Sequence, residues 1–235
     1  PAWAGSPAAT RVSVPPSTVT APAPAAAVAG GDSDTLVFSA PPRETAAQAA
    51  EIYAPIADYL SAVTGKKVVY RQPGNWLTYQ TEMQKGAYDI VFDGPHFNGW
   101  RAANLQHNVL VKLPGDHVFA VVVRRENDKV KEVKQLAGRA VCGMSPPNLG
   151  SIMLLGQFDN PVRQPVILPT NGWDNIYAGV ADGRCQAAVL PLNKLEKLDR
   201  GGKLRVVFKA RALPNQAFSA GPRVTPSDQT KISRA

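Results

Sequence analysis

The 235-residue sequence has little of what enzymes, metal sites and membrane spans require. No run of about 18 apolar residues occurs, so the sequence predicts no membrane-spanning helix. The motifs G-x-S-x-G, G-x-x-x-x-G-K-[ST] and G-x-G-x-x-G are absent. The three histidines, His96, His107 and His117, match no metal-ligand spacing, and we interpret the latter two as loop residues. These absences predict a protein that is not an enzyme and that uses no metal or cofactor.

Only two cysteines are present, Cys142 and Cys185, and both lie in or beside predicted strands of the same half of the chain. In an exported protein, an even cysteine count favours a disulfide bond over free thiols. Two buried free thiols are the alternative. We therefore predict a disulfide between Cys142 and Cys185.

The formal net charge is +8, from 26 Lys and Arg against 18 Asp and Glu. A nucleic-acid-binding protein would concentrate this charge, with aromatic side chains between the basic ones. Here the basic residues are scattered, with milder clusters at 124–125, 129–134 and 194–211. We predict a solvated basic face and no nucleic-acid partner, and contact with an anionic membrane surface or an acidic partner is the alternative.

The N-terminal residues have the character of a leader and a tether. Ala2-Trp3-Ala4 has the small-x-small pattern of a signal-peptide cleavage site, although an arbitrary chain start is the alternative. Residues 5–34 are dominated by Ala, Pro, Ser, Thr, Val and Gly, which cannot bury a core. We interpret residues 1–34 as a signal-peptide remnant with a Pro/Ala-rich tether, and we predict a periplasmic location.

From residue 35 onwards, predicted strands alternate with predicted helices. Strands are expected at 35–39, 67–70, 88–92, 109–113, 118–123, 139–144, 165–168, 185–190, 204–209 and 217–221. Helices are expected at 45–64, 76–85, from 95, after 148 up to 158, at 173–181, at 194–200 and from 226. Pro55 should kink or split the first of these helices. The alternation is typical of βαβ units, and its repetition predicts two α/β lobes.

The stretch 76–102 carries the clearest sign of a ligand site. Its strand runs into the turn Asp93-Gly94-Pro95, and proline is well suited to the first position of the helix that follows. A helix N-terminus at the carboxyl end of a strand is where open α/β sheets bind ligands. His96 lies in the first turn of this helix. A surface histidine without a role is the simpler interpretation, and ligand binding is the alternative that makes His96 a candidate.

Six segments, in this order along the chain, resemble a known family. They are YAPIADYL (53–60), MQKGAYDIVFDGP (83–95), HVFAVVVR (117–124), LAGR (136–139), VADGRCQAAV (180–189) and ALPN (212–215). Together they are similar to the phosphate/phosphonate-type substrate-binding proteins of bacterial ABC importers, over about residues 35–235.

The resemblance implies a type II periplasmic binding protein fold, in which two α/β lobes close by a hinge motion over a ligand cleft. It implies a first lobe at 35–116 plus 216–235 and a second lobe at 117–215. The hinge crossings would lie near 116–117 and 210–215.

One loop departs from the family pattern. The phosphonate-binding proteins hold the anion with a run of Ser and Thr ahead of a helix in the second lobe, where this chain has SPPNLG at 145–150. Proline carries no N–H group, so this loop offers fewer donors. The acidic residue that the family carries after a later strand is also missing from LPLN at 190–193. Because burying an anion without several donors is costly, we predict a ligand other than an oxyanion.

The predicted cleft is lined by aromatic and apolar side chains with a few amides and one or two charges. The candidate ligand-binding residues are Arg43, Asn75, Trp76, Tyr79, Asp93, His96, Phe97, Asn98, Asn148, Leu149, Asn171, Trp173 and Asn193. For Trp76, Phe97 and Trp173, packing in the lobe cores is the alternative. Such a lining favours a largely apolar ligand held by a few polar groups.

The sequence thus predicts an exported solute-binding protein that captures a small molecule between two lobes and delivers it to a membrane transporter or permease. The expected ligand is bulky and largely apolar with a polar end, such as a lipid or a sterol. A phosphate/phosphonate-type oxyanion for ABC import is the alternative ligand. A ligand-sensing domain that serves a membrane partner is the alternative function.

Overall fold

A computed structural model describes residues 34–235. The predicted signal-peptide remnant and tether lie outside the described residues, apart from Asp34. Within this described part of the chain, no helix is long and apolar enough to cross a membrane.

Strands and helices alternate along the described residues. The strands are β1 (Thr35–Ser39), β2 (Lys67–Tyr70), β3 (Ile90–Asp93), β4 (Asn108–Lys112), β5 (Asp116–His117), β6 (Phe119–Arg124), β7 (Ala140–Gly143), β8 (Val166–Pro169), β9 (Ala187–Pro191), β10 (Leu204–Lys209), β11 (Leu213–Pro214) and β12 (Ala217–Ala220). The α-helices are α1 (Ala46–Thr64), α2 (Trp76–Gln84), α3 (Pro95–Asn104), α4 (Leu149–Leu155), α5 (Trp173–Ala181), α6 (Leu192–Leu198) and α7 (Pro226–Arg234). Two short 3₁₀ helices lie at Val133–Leu136 and Pro161–Arg163.

The first lobe is built on a sheet with the strand order β2-β1-β3-β12-β4. Strand β1 pairs in parallel with β2 and β3, whereas β12 pairs antiparallel with both β3 and β4. The register places Ala217 opposite Asp93, so β12 lies beside the strand that leads into α3. The apolar cluster on one face includes Phe38 of β1, Tyr53 of α1 and Ile232 of α7.

The second lobe is built on a sheet with the strand order β10-β6-β9-β7-β8. Its central strand β6 is covered on both faces: Val121 and Val123 belong to one apolar cluster, and Ala120 and Val122 belong to another. The continuous apolar run of β6 follows from this two-sided burial.

The chain passes between the two sheets through the antiparallel pair β5–β11, where His117 lies opposite Leu213. Our interpretation of His117 as a loop residue was wrong, because it is buried within this strand pair. His107 does lie outside regular structure, but it too is buried. The chain thus crosses between the two sheets twice, at β5 and at β11, and its fold is a two-lobed α/β fold.

Helix α1 runs unbroken for 19 residues through Pro55, so the expected split does not occur. A proline inside a helix removes one N–H bond to the carbonyl four residues back. The turns on either side are held by the burial of Tyr53 and Leu60 and by a capping box between Thr45 and Gln48. Tertiary packing and capping therefore outweigh the local cost of Pro55.

The second lobe contains a disulfide bond between Cys142 of β7 and Cys185, two residues before β9. The two Cα atoms are 5.6 Å apart. Strands β7 and β9 pair in parallel, so the bond ties together neighbouring strands of the sheet.

Candidate ligand cleft

The two lobes touch at two polar contacts in the region where the sequence predicts the cleft. Nε2 of His96, in the first lobe, lies 3.2 Å from the carbonyl oxygen of Pro147 in the second. On the other side, the backbone N–H of Gly172 donates to the carbonyl oxygen of Arg43 over 3.1 Å. The cleft is therefore closed at both of these positions.

Between these contacts, Trp76 and Phe97 belong to an apolar cluster that continues into the second lobe through Met144 and Leu190. The two aromatic rings are stacked with their centroids 6.5 Å apart. Trp76 begins α2, and the N-cap of this helix is Asn75, whose side-chain oxygen accepts from the backbone N–H of Thr78. Trp76 is only 5% exposed, and its indole Nε1 is buried without a hydrogen-bond partner among the described residues.

His96 lies beside this stack, with its ring centroid 4.2 Å from that of Phe97. Burial lowers the pKa of His96 below its usual value, so the ring is neutral near pH 7. A carbonyl oxygen only accepts, so Nε2 is protonated and donates to the carbonyl oxygen of Pro147, and Nδ1 is left as an acceptor. Nδ1 is buried and has no partner within residues 34–235.

Arg43 provides a fixed positive charge at the lobe boundary. It is 5% exposed, and its Nη2 lies 3.4 Å from the hydroxyl of Tyr53 and 3.5 Å from the carbonyl oxygen of Phe92. The guanidinium also stands 5.5 Å from the centroid of the Phe92 ring. Burial lowers the pKa of Arg43, but Tyr53, Glu44 and Asp93 outweigh this effect and raise it. Nε and Nη1 make no hydrogen bond to any described residue.

His117 is close enough to these groups to be affected by their charge. Burial, Arg43 and His96, in this order of importance, together lower its pKa to about 4. Its ring packs edge-on against Phe119, with centroids 4.7 Å apart. Sequence reasoning did not select His117 as a site residue, because its approach to Arg43 depends on how the lobes are joined. A histidine next to a predicted hinge crossing was the available signal.

Three candidate residues of the first lobe are held in a buried polar network around Arg101. The Tyr79 hydroxyl donates to the Asp93 carboxylate, and Nη1 of Arg101 donates to the same oxygen over 3.1 Å. Nη2 of Arg101 donates to Oδ1 of Asn98 over 2.7 Å, and Nδ2 of Asn98 donates to the backbone oxygen of Asp93 over 2.9 Å. The network fixes the turn that presents His96. Sequence reasoning missed Arg101, although it lies one turn after Phe97 on the same helix face.

The candidates of the second lobe are spread more widely. Asn148 is the N-cap of α4, where its Oδ1 accepts from Gly150 N–H over 3.0 Å, and Leu149 follows it as a buried residue. Asn171 is exposed, Trp173 is half-buried at the start of α5, and Asn193 is exposed on α6. Asn148 and Leu149 thus follow the Pro147 contact directly and are buried in the second lobe, whereas Asn193 is exposed.

Two grooves open beside the contact between the lobes. The smaller one, of about 290 Å³, is lined by Arg43, Glu44, Gln48, Glu51 and Ile52 from the first lobe and by Gly172, Trp173, Asp174, Lys194, Lys197 and Leu198 from the second. The larger one, of about 670 Å³, is lined by Thr45 and, from the second lobe, by Leu168, Pro169, Thr170, Asn171, Asn175, Ala178, Gly179, Asp182 and Arg184. Both linings mix acidic, basic and amide groups. No group of three or more His, Cys, Asp and Glu in the described part of the chain could hold a metal ion.

Comparison with solved structures shows the same two-lobed fold. PhnD1 from Prochlorococcus marinus, solved with methylphosphonate, has a TM-score of 0.69 and 14% identity over 86% of this chain and 84% of that one. A binding protein of an ABC phosphonate transporter from Pseudomonas aeruginosa has a TM-score of 0.66 and 14% identity over 86% of this chain and 74% of that one. A variant of ArgBP from T. maritima has a TM-score of 0.60 and 13% identity over 86% and 87% of the respective chains. At these identities, the likeness shows the fold alone.

Comparison of the sequence itself identifies the family. No curated protein sequence matches this chain. The sequence profile described as "ABC transporter, phosphonate, periplasmic substrate-binding protein" matches residues 38–235. Because this match covers most of the chain, the protein belongs to the periplasmic substrate-binding proteins of phosphonate ABC transporters.

Proposed function

We propose that this protein captures a small phosphonate-type oxyanion between its two lobes and delivers it to the permease of an ABC importer. Membership of the family implies an exported protein with a small-molecule ligand and a membrane transporter as partner. The observation that carries the ligand class is Arg43, a buried cation with two nitrogen donors left without a protein partner. Guanidinium groups bind phosphate-like oxygens through strong, charge-assisted hydrogen bonds.

Trp76 and His96 supply complementary groups on the same lobe. The indole N–H only donates, whereas the free Nδ1 of a neutral imidazole accepts. A singly protonated phosphonate has both a P–O⁻ acceptor and a P–OH donor, so its chemistry matches each of the two atoms. Pairing them would relieve the cost of two buried polar atoms without partners.

Arg43 also compensates for the hydroxyl donors that the loop of the second lobe lacks. The segment 145–150 has two prolines, and Oδ1 of Asn148 is already used by Gly150. If the charge of the anion is met by Arg43 in the first lobe, the second lobe needs fewer donors. The oxyanion that the sequence offered as the alternative is therefore the ligand that we propose.

A lipid or sterol fits this cleft less well. Pockets that bury a drug-sized ligand usually measure roughly 300–1,000 Å³. The groove beside Arg43 measures about 290 Å³, and charged side chains from both lobes line it. The larger groove, of about 670 Å³, lies within that size range, but its lining includes Asp182, Arg184 and two amide side chains. The apolar side chains Trp76 and Phe97 instead pack into a cluster shared by the lobes.

Isothermal titration calorimetry with methylphosphonate, 2-aminoethylphosphonate and phosphate, beside a fatty acid and a sterol in detergent, tests the ligand class. We expect saturable binding of at least one phosphorus oxyanion and none of the lipids. Binding of a lipid without binding of any oxyanion would contradict the proposal. Uptake of the bound oxyanion by the host, measured with and without the gene, separates import from a sensing role. If the protein serves import, deletion of the gene abolishes this uptake. If it is a sensor, uptake by other routes persists in the deletion strain and still responds to an inducer.

A further inference from the structure

Nearly all of the net charge of the chain belongs to the second lobe. Residues 117–215 contain 15 Lys and Arg against 8 Asp and Glu, whereas residues 35–116 and 216–235 together contain 10 against 8. The second lobe therefore has a net charge of +7 and the first lobe +2. The excess positive charge of the protein therefore lies on the second lobe.

The topology places most of this charge at the end of the second lobe that is remote from the β5–β11 pair. Strand β6 starts beside that pair and ends at Arg124, which lies opposite Leu204 at the start of β10. Strand β9 runs antiparallel to β6, and β7 and β8 run parallel to β9, so all three also start at the remote end. The connections that reach this end carry Arg124, Arg125, Lys129, Lys131, Lys134, Arg139, Arg163, Arg184, Arg200 and Lys203 against Glu126, Asp128, Glu132, Asp159, Asp182 and Asp199.

Two of these connections pack together into one surface, which we call the distal patch. It consists of Lys129, Lys131, Lys134, Arg139, Val162 and Arg163, and the same two segments also expose Asp128, Glu132 and Asp159. The backbone N–H of Gly138 donates to the carbonyl oxygen of Gln164 over 3.2 Å, which joins the two segments. The Lys134 ammonium stands 5.7 Å from the centroid of the Phe158 ring, which reinforces the same contact. The basic side chains of the patch are exposed.

The charge of the distal patch is largely free of internal partners. Lys134 lies 3.7 Å from Asp159, a pair in which Asp159 is fully exposed. Lys129, Lys131 and Arg163 form no salt bridge with any residue between 34 and 235. These side chains can therefore approach an external anion without breaking an existing ion pair.

The patch also presents an apolar tip. Val162 lies in the 3₁₀ helix Pro161–Arg163 and is 90% exposed, more than any other large hydrophobic residue described. Exposed apolar side chains among basic ones are the combination that enters the head-group region of an anionic bilayer. Nucleic-acid surfaces instead use exposed aromatic rings for stacking, and the aromatic ring at this patch, Phe158, is buried under Lys134.

We propose that the distal patch docks on anionic phospholipid head groups at the membrane surface. The lysines and Arg163 contact the lipid phosphates, and Val162 enters the layer just below them. The site lies at the opposite end of the second lobe from the strand pair that joins the lobes. Docking there holds the protein close to a membrane-embedded partner and leaves ligand capture unaffected.

Sedimentation of the purified protein with unilamellar vesicles tests this proposal. We expect binding to phosphatidylcholine vesicles that contain 40% phosphatidylglycerol and none to pure phosphatidylcholine, with a decrease of at least fivefold between about 50 and 300 mM NaCl. The combined variant Lys129→Glu, Lys131→Glu and Lys134→Glu should bind at least tenfold more weakly. Val162→Asp alone should weaken binding two- to fivefold.

A matched control carries the same change in net charge on the first lobe, at Lys67→Glu, Lys85→Glu and Arg234→Glu. These three exposed residues make no salt bridge in the described part of the chain. Circular dichroism establishes that each variant is folded. Absence of binding to the anionic vesicles, equal loss in the control variant, or tighter binding to a short DNA duplex than to the vesicles would each overturn the proposal.

Discussion

Arg101 and Asp93 form an ion pair 3.1 Å apart in which both side chains are only 1% exposed. The carboxylate oxygen that accepts from Arg101 also accepts from the Tyr79 hydroxyl, and burial and then Asp93 raise the pKa of Tyr79. Tyr79 therefore remains a neutral donor. The pair lies where β3 turns into α3, so it stabilises the turn that positions His96.

Replacing Arg101 with Leu should destabilise the protein by about 3–5 kcal/mol, because it leaves a carboxylate buried without its counter-charge. Urea unfolding followed by circular dichroism measures the loss. Asp159→Ala is the control, since its exposed pair with Lys134 should leave the midpoint of urea unfolding almost unchanged. A loss below about 1 kcal/mol for Arg101→Leu would show that the network contributes little.

Much of the fold follows from local pattern. The strand, turn and helix around Asp93-Gly94-Pro95 occur as the sequence predicts, with Pro95 as the first residue of α3. Glycine, proline and capping residues mark such boundaries because each restricts the backbone locally. Pro55 is the exception, since the packing of α1 against the sheet is a tertiary effect that no local rule includes.

The candidate site was less accessible from sequence. Cleft residues were predicted from their position near strand ends. That criterion does not separate a side chain buried within its own lobe from a side chain that faces the opposite lobe. Asp93 was thus selected without Arg101, its partner eight residues later. Arg43 was selected as one cation among several, and only the folded chain reveals that it is buried with unused donors.

Arg43→Gln should weaken the binding of the oxyanion roughly 30- to 150-fold, because charge-assisted hydrogen bonds contribute about 2–3 kcal/mol. Arg43→Lys keeps the charge but loses the planar fork of donors, so it should recover only part of the affinity. Titration calorimetry measures both variants, and thermal unfolding shows whether they are folded. Arg184→Gln, on the larger groove, is the matched control. Equal affinity for the wild type and Arg43→Gln would exclude Arg43 as the anion site.

Trp76→Phe removes the indole N–H but keeps an aromatic ring in the stack with Phe97. Loss of one hydrogen bond to the ligand should weaken binding about 5- to 15-fold. Without ligand, the free energy of unfolding should fall only because phenylalanine fills less volume than tryptophan. The wild-type N–H has no protein partner to lose. Trp100→Phe, at a half-buried position outside the candidate set, controls for general effects on packing. Unchanged affinity in Trp76→Phe would contradict a role for its N–H group.

The disulfide between Cys142 and Cys185 closes a loop across 43 positions. Cys142→Ser combined with Cys185→Ser should lower the free energy of unfolding by about 2–4 kcal/mol, chiefly by releasing the unfolded chain from this constraint. Alkylation under denaturing conditions without reductant should add no mass to the wild type, and two alkyl groups after reduction. Two groups added before reduction would show that the bond is absent.

The stability of the protein should fall as the pH is lowered from about 6.5 to about 4. Burial lowers the pKa of His107 and of His117 from the usual 6.5 to about 4. Between these values the unfolded chain binds protons that the folded chain does not, so the free energy of unfolding falls as pH falls. Each histidine contributes at most about 1.4 kcal/mol per pH unit. Burial raises the pKa of Asp89, which opposes this trend.

Guanidinium unfolding at several pH values between 7.5 and 4.5 measures this dependence. His107→Gln should reduce the slope by roughly a third to a half, because it removes one histidine and leaves the contributions of His117 and His96 in place. An exposed basic residue such as Lys85, changed to Gln, should leave the slope unaltered. A slope in the wild type that is flat, or that His107→Gln leaves unchanged, would show that these histidines can take up protons without unfolding of the chain.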